Sequence, residues 1–460
     1  MSDKARCMSW PLTTRRTNGG ELEFGGVAAS ALAREFGTPL YVFDEDTLRT
    51  RARSIRDDFR RAYAQTKIVY AGKAYLSPAL MSILVEEGIG LDVVSGGELY
   101  AGVLAGVDPS EMIFHGNNKS RSELQEAVTA GIGLIAIDND LEITLLEEVA
   151  REAGRSVRVV LRLNPGVDPH THDKMRTGAV DSKFGFSIWD GQAENAAARL
   201  CGSDRLHIVG YHAHVGSQIF DPGLVEQTIE EIMRFASIVR DRYGARLEIV
   251  IPGGGFGVAD DASGADVSIA DWAATAAGAI ERCCQIHGFH QPVLVVEPGR
   301  AIIGPAGIAL YEVGAQKTIP GVRTYISVDG GMADNIRPAL YGAKYSVALA
   351  NREPEGEPLV PVTIAGKYCE SGDVLIQDAM LPALNAGDLL AVPMAGAYCL
   401  AMASNYNLSP RPAVALVRNG HARLIRRRET YEDLLRCDIA GAAKNVPPES
   451  CRLSAGKGSL

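Results

Sequence analysis

Long apolar runs are missing from this sequence. Nothing in its 460 residues approaches the roughly 20 apolar residues of a membrane-spanning helix. The opening, MSDKARCMSWPLTTRRTNGG, has no continuous apolar stretch of the kind a secretory signal needs, so the expected compartment is the cytoplasm, with no membrane partner. Cysteine is sparse. Eight in 460 residues, with no C-x-x-C spacing, exclude a disulfide scaffold and leave no expected metal site. Positive charge is in deficit, with 46 Lys and Arg against 56 Asp and Glu; the net charge of -10 argues against general nucleic-acid binding. A hydrophobic content of 46% with 22% charged residues excludes a disordered chain.

The length exceeds one ordinary core and points to two or three domains, or to one large barrel plus a second domain. Short β-rich runs alternate with helical patterns up to about residue 300. The expected strands are Lys67–Ala71, Gly90–Val94, Met112–His115, Leu134–Ile137, Val157–Leu163, His207–His214, Leu247–Ile251 and Val293–Val296. Between them, stretches such as SRSELQEAVTAG repeat apolar residues at three- and four-residue spacing, and several end at glycine. Eight such units predict an α/β fold, a parallel (β/α)8 barrel over 44–302. After residue 303 the runs read as strands with turns, a β-rich second domain formed by 303–440 together with 1–43. From Gly441 the chain is rich in Ala, Gly, Pro, Lys and Ser and reads as a mobile tail.

Polar residues collect where these strands end, and the C-terminal ends of barrel strands form the mouth at which such folds do chemistry. Lys73 follows the first strand, Asp92 lies in the second, His115 ends the third, and Arg162 lies in the fifth. His214 ends the sixth strand, ahead of Gly216 and Ser217. GGGFG, from Gly253, follows the seventh, and Glu297-Pro298-Gly299-Arg300 follows the eighth. Taken alone, GGGFG is as often a turn as a phosphate site. Its place after the seventh strand favours phosphate, because glycines admit a ligand close to backbone N–H groups, and Arg300 would add a charged donor. A lone histidine at a strand end is more often structural, but His214 shares its mouth with Gly216 and Ser217. A lone lysine is usually a solvated one. Lys73, flanked by Tyr70, Ala71, Gly72 and Ala74, is expected not to be fully solvated, and such lysines suit Schiff-base chemistry. Two further clusters lie in the β-rich region: Cys369, Glu370 and Asp373 in KYCESGD, and Asp329, Asp334, Arg337 and Tyr341 in DGGMADNIRPALYGAKY. Either by itself is more often an acidic loop than a site. A barrel mouth needs a cover, and these clusters are candidates for it.

Eleven segments between about Gly37 and Tyr431, among them YAGKAY, DVVSGGEL, HGNNKS, DSKFGFS, HAHVGSQI, GGGFG, EPGR, RPALY and CESGD, carry a resemblance. The chain resembles diaminopimelate decarboxylases, grouped with ornithine and arginine decarboxylases among the barrel-type enzymes that use pyridoxal 5'-phosphate (PLP). The resemblance implies decarboxylation of meso-2,6-diaminopimelate to L-lysine, the last step of lysine biosynthesis, by a homodimer with shared active sites. It implies that Lys73 carries the cofactor, that His214 stacks on its ring and that Glu297 faces the pyridine nitrogen. Ser217, Gly254, Gly255 and Arg300 fall on the phosphate side, and Asp92, Pro298, Gly299 and Tyr398 fall among the cofactor contacts. Cys369 matches the proton donor, delivered from the partner subunit. Arg300, Arg337, Tyr341, Glu370 and Tyr398 match positions that hold the amino-acid substrate. Three residues depart from the usual pattern: Tyr75, where Asn is common, Lys367, where Pro is, and Cys399, where Gly is. They bear on substrate choice rather than on reaction class.

The chemistry agrees with these assignments. A carbon that loses carbon dioxide is left with an electron pair, which a protonated pyridine ring can accept. Keeping that ring protonated needs a negative neighbour, which Glu297 supplies. A racemase of the same architecture would put an arginine there, so Glu297 argues against one. A related decarboxylase for another amino acid remains as an alternative, as does a non-catalytic PLP-binding homologue, which the set Lys73, His214, Glu297 and Cys369 disfavours.

Overall fold

The computed structural model describes residues 10–167, 182–258, 267–354 and 356–439. The tail from Gly441, and residues 168–181 in the stretch before FGFS, lie outside the described residues. Eight strands, Thr66–Ala71, Gly90–Val93, Met112–Phe114, Leu134–Ile137, Val157–Asn164, Leu206–His212, Ile249–Gly253 and Val293–Val296, pair in parallel. The ring closes where Leu294 and Val296 of the eighth strand pair with Thr66 and Ile68 of the first. The expected (β/α)8 barrel is therefore present. Its interior is filled by Val69, Ile113, Ala136, Val160, Val209, Ile251 and Val295, branched or small side chains that pack as a core.

Strand ends differ from expectation by one or two residues, for a physical reason. The third and sixth strands stop at Phe114 and His212, and His115 and His214 lie just beyond them, where the chain leaves the ladder. The seventh runs on to Gly253, whose φ of 89° turns the chain out of the sheet. The helices between strands start and stop on local signals. Ser120 and Glu123 form a reciprocal cap on helix Arg121–Ala130, which ends at left-handed Gly131. Gly244 and Gly288 end the long helices Gly223–Tyr243 and Ile269–His287 in the same way. Among the described residues, no helix is long and apolar enough to cross a membrane.

The β-rich domain is built on strand Gly307–Ile319, which pairs with Arg323–Val328, with Leu389–Val392 and with Leu40–Asp44. Leu40–Asp44 comes from the N-terminal segment and is covered on its other edge by Ala413–Arg418. Leu22, Phe24 and Leu32 pack with Leu40, Ile308 and Leu310 in a core of this domain, so the N-terminal segment is received by it. The short helix Arg337–Tyr341 belongs to the same half of the chain and faces the barrel mouth.

Candidate active site

The first strand is buried from Ile68 to Ala71 and ends in a tight turn, Gly72–Ala74. A Cβ on Gly72 would lie 2.8 Å from the Asp92 carbonyl oxygen, so glycine is what lets this turn sit against the second strand. Lys73 is carried on the turn and lines a cavity of about 440 Å³ at the mouth. Its side chain is exposed to this cavity. Pro298 accepts a hydrogen bond from the Ala71 N–H (3.2 Å), and a Cβ on Gly299 would meet those of Ala74 and Ala71 at 3.1 and 3.2 Å. The loop after the eighth strand thus braces the lysine's turn.

The loops after the sixth and seventh strands are tied together. The Ile219 N–H donates to the Gly255 carbonyl (2.9 Å), the Gly257 N–H donates to the Ile219 carbonyl (2.8 Å), and the Gln218 side chain bonds both backbone groups of Val258. The Gly254 N–H donates to Nδ1 of His214 at 3.4 Å, which leaves the imidazole proton on Nε2. Burial, and then the charge of Lys73, push the His214 pKa well below its ordinary value, so the ring is neutral. A Cβ on Gly254 would lie 2.0 Å from the Glu297 carbonyl oxygen, and one on Gly255, whose φ is 89°, would lie 2.4 Å from that of Gly216. Such close approach is what a backbone cradle for an anion requires, and Ser217 and Arg300 line the cavity beside it. Gly254→Ala is expected to destabilise the fold by about 1–3 kcal/mol through overpacking and to weaken cofactor retention. Thermal unfolding and absorbance of the PLP-loaded protein check this; unchanged melting and retention would count against the cradle.

Glu297, at the end of the eighth strand, is buried at the cavity wall. His212 Nε2 donates to its Oε2 at 3.2 Å, and His115 Nε2 lies 3.0 Å from its Oε1, outside good hydrogen-bond alignment. Beyond His115 stands Asp92, 3.8 Å away. Burial by itself would raise the Glu297 pKa, but His115 and His212 outweigh it and hold the carboxyl well below the usual range. Burial disfavours charge on His115 too, yet Asp92 and Glu297 raise its pKa; an imidazolium between two carboxyls is the arrangement this favours. Burial lowers His212 to about 4, so it stays a neutral donor. Among the described residues, Glu297 Oε1 and Asp92 Oδ1 are buried acceptors without a hydrogen-bond partner. An ionised carboxylate at the cavity wall fits a protonated heterocyclic nitrogen, and the glycine cradle fits a phosphate. The residues present fit PLP.

The second domain closes the cavity with Arg337, Tyr341 and Tyr398. Tyr398 is held in the left-handed region, φ 61°, by its N–H bond to the Ala74 carbonyl (2.7 Å), and the Arg300 guanidinium carbon stands 4.8 Å from its ring centroid. The sequence-predicted residues Lys73, His214, Ser217, Gly255, Glu297, Gly299, Arg300, Arg337, Tyr341 and Tyr398 therefore meet in one place. Asp92, Gly254 and Pro298 stand behind its wall. Cys369 and Glu370 are not brought to it. Both are exposed, on a loop fixed by buried Asp373, which accepts from the Met332 and Tyr368 N–H groups (2.6 and 2.8 Å). His115 was noted at the mouth from sequence but given no role, and His212 was not singled out. His212 was within reach, because alternate residues on a strand share a face and it stands two before His214. Gln218, in HAHVGSQI, Phe256, in GGGFG, and Met402 also line the cavity, though none was given a role from sequence.

A barrel mouth with a lysine after the first strand, a glycine cradle after the seventh and an ionised glutamate after the eighth defines a class. Residues 46–304 match the family described as pyridoxal-dependent decarboxylase, pyridoxal binding domain. The chain is 47% identical to the diaminopimelate decarboxylase of Bacillus subtilis over 427 residues, 93% of this chain and 97% of that one. It is 42% identical to that of Mycobacterium tuberculosis over 439 residues, 94% and 97% of the two chains. The crystal structure of diaminopimelate decarboxylase from M. jannaschii in co-complex with L-lysine superposes with a TM-score of 0.87 at 33% identity, covering 95% of this chain and 99% of that one. The chain belongs to the diaminopimelate decarboxylase family of pyridoxal-dependent decarboxylases.

Proposed function

We propose that this protein decarboxylates meso-2,6-diaminopimelate to L-lysine and carbon dioxide with PLP, as a cytoplasmic homodimer with shared active sites. The carrying observation is that Lys73, ionised Glu297 and Arg337 of the second domain meet in one cavity. The chemistry that PLP supplies when bound is an electron sink for the carbon that loses carbon dioxide. Lys73 would hold it through Nζ, Gly254, Gly255, Ser217 and Arg300 would hold its phosphate, and His214 would cover one ring face. Glu297, kept ionised by its two histidines, favours a proton on the nitrogen that faces it. The partner's Cys369 would deliver a proton from Sγ to the carbon left behind.

The substrate reading follows from charge. The reacting end loses its carboxylate, so a fixed cation beside that group would favour the ground state. Cations serve better at the far end, where an arginine grips the retained carboxylate with two parallel bonds. Arg337 and Arg300 are positioned for this, with Tyr341 beside them, and the partner's Glu370 would take the distal ammonium. A substrate without the far carboxylate leaves the arginine unsatisfied, a penalty of roughly a hundredfold or more in selectivity. Purified, PLP-loaded protein assayed against a panel of amino acids by carbon dioxide release is expected to turn over meso-diaminopimelate at least that much better than L-lysine or L-ornithine. Equal rates on lysine or ornithine would overturn the substrate assignment and leave the reaction class standing.

A further inference from the structure

Glu297 lines the cavity, but the groups behind it, His115, His212 and Asp92, do not. All four are buried. Two carboxyls buried around one nitrogen ionise together only when a cation stands with them. His115 Nε2 is that nitrogen, 3.0 Å from Glu297 Oε1 and 3.8 Å from Asp92 Oδ1. Neither contact is an aligned hydrogen bond. A neutral imidazole there would turn a lone pair toward a carboxyl oxygen or waste its N–H on a poorly aligned one. An imidazolium is attracted to both carboxyls at any alignment. Burial opposes charge on His115, and Asp92 and Glu297 together outweigh it. His212 differs. Its Nε2 makes a hydrogen bond to Glu297 Oε2 at 3.2 Å, and its ring centroid stands 4.6 Å from that of His115, so a charge on it would face the first. For His212 burial prevails. The other cations near the pair are Lys73, on the cavity side, and Arg162, which is tied to Asp138 at 3.2 Å.

We propose that His115 is a positioning residue for the cofactor's ring proton: its positive charge, with Asp92 as counter-ion, keeps that proton on the pyridine nitrogen and off Glu297, while His212 only orients the carboxylate. This rests on the PLP reading above. A carboxylate facing a ring nitrogen shares one proton with it, and the proton sits on whichever atom the surroundings favour. His115 touches the carboxyl from behind and stands one layer back from the cavity. Its charge therefore penalises a proton on Glu297 more than a proton on the nitrogen facing it. A bare anion at Asp92 would act the other way and draw the proton onto Glu297. With His115 between the two carboxyls, that anion is answered by the imidazolium. The two histidines thus differ in kind, one supplying charge and the other a neutral hydrogen bond.

The test reads the proton itself, by nitrogen NMR of protein loaded with PLP isotope-labelled at the ring nitrogen. The wild type is expected to show a protonated ring nitrogen at about pH 8, where an ordinary histidine is neutral. His115→Gln is expected to lower the ratio of protonated to unprotonated ring nitrogen about tenfold or more, the equivalent of one pKa unit. His212→Gln, in which an amide replaces a neutral donor, is expected to change it by less than about twofold. With the histidine rings labelled instead, one wild-type histidine is expected to hold protons on both ring nitrogens at that pH, and its signal to be missing from His115→Gln. Thermal unfolding midpoints separate misfolding from proton movement, and the wild-type histidine spectrum carries the test if His115→Gln does not fold. With a protonated ring nitrogen in the wild type, three results each overturn the role of His115 and leave the PLP reading intact: an unchanged ring nitrogen in His115→Gln, an equal shift in His212→Gln, or no doubly protonated histidine. A wild type whose bound cofactor has an unprotonated ring nitrogen overturns this proposal and the part given to Glu297 above. One that binds no PLP overturns the whole reading.

Discussion

Lys73→Ala is expected to lower kcat by about 10³-fold or more, the scale on which losing both a covalent anchor and a positioned acid–base group registers. Among the described residues it is the lysine that lines the cavity, on a turn braced by Pro298 and Gly299. Its Nζ is open to the cavity, so an incoming amine can displace it without moving the backbone. The glycine cradle and Glu297 do not depend on it, so the variant is expected to fold and to bind PLP more weakly and without a covalent bond. Borohydride treatment of the wild type followed by peptide mapping should place the fixed adduct on Lys73. An adduct on any other lysine would sink the assignment.

The second large effect concerns Cys369. Its distance from the cavity is as informative as the presence of the others. The loop that bears it is pinned by Asp373 onto the turn around Met332 and presents Cys369 and Glu370 outward. The proposed sharing of sites across a dimer requires a group that faces outward in this way. Cys369→Ala is expected to lose roughly 10²–10⁴-fold in rate, the range of a positioned proton donor. When Cys369→Ala and Lys73→Ala proteins are dissociated and reassociated in equal amounts, half the dimers are mixed and each mixed dimer has one intact site. Activity should therefore recover to about one quarter of wild type if the sites are shared across a two-fold axis. No recovery despite demonstrated subunit exchange would rule out shared sites.

The barrel was legible because its signal is local. Each strand is a short apolar run, each helix repeats every three or four residues, and residues just past the strands fall at one mouth by topology alone. Lys73, Glu297 and GGGFG were found that way. What depends on register or on distant pairing was not. His115 and His212 matter because they converge on Glu297, with donor atoms within 4.8 Å of one another, from strands far apart in the chain. Tyr345 and Cys399 are 54 residues apart and meet in the second domain's core, a pairing that neither segment reveals by itself.

Strand Leu40–Asp44 has a consequence for biogenesis. It is made before any of the barrel, yet its two partners, Gly307–Ile319 and Ala413–Arg418, emerge from the ribosome after the whole barrel has been synthesised. Contacts of such sequence separation form late, because loop closure must precede them. The barrel is continuous in the chain and can assemble first. For that interval Leu40–Asp44, a run of buried residues, has both edges bare, the condition under which strands pair with the wrong neighbour. The same strand then joins the N-terminal segment to Ala413–Arg418, so the second domain, and with it Arg337, is completed only after Arg418 has been made.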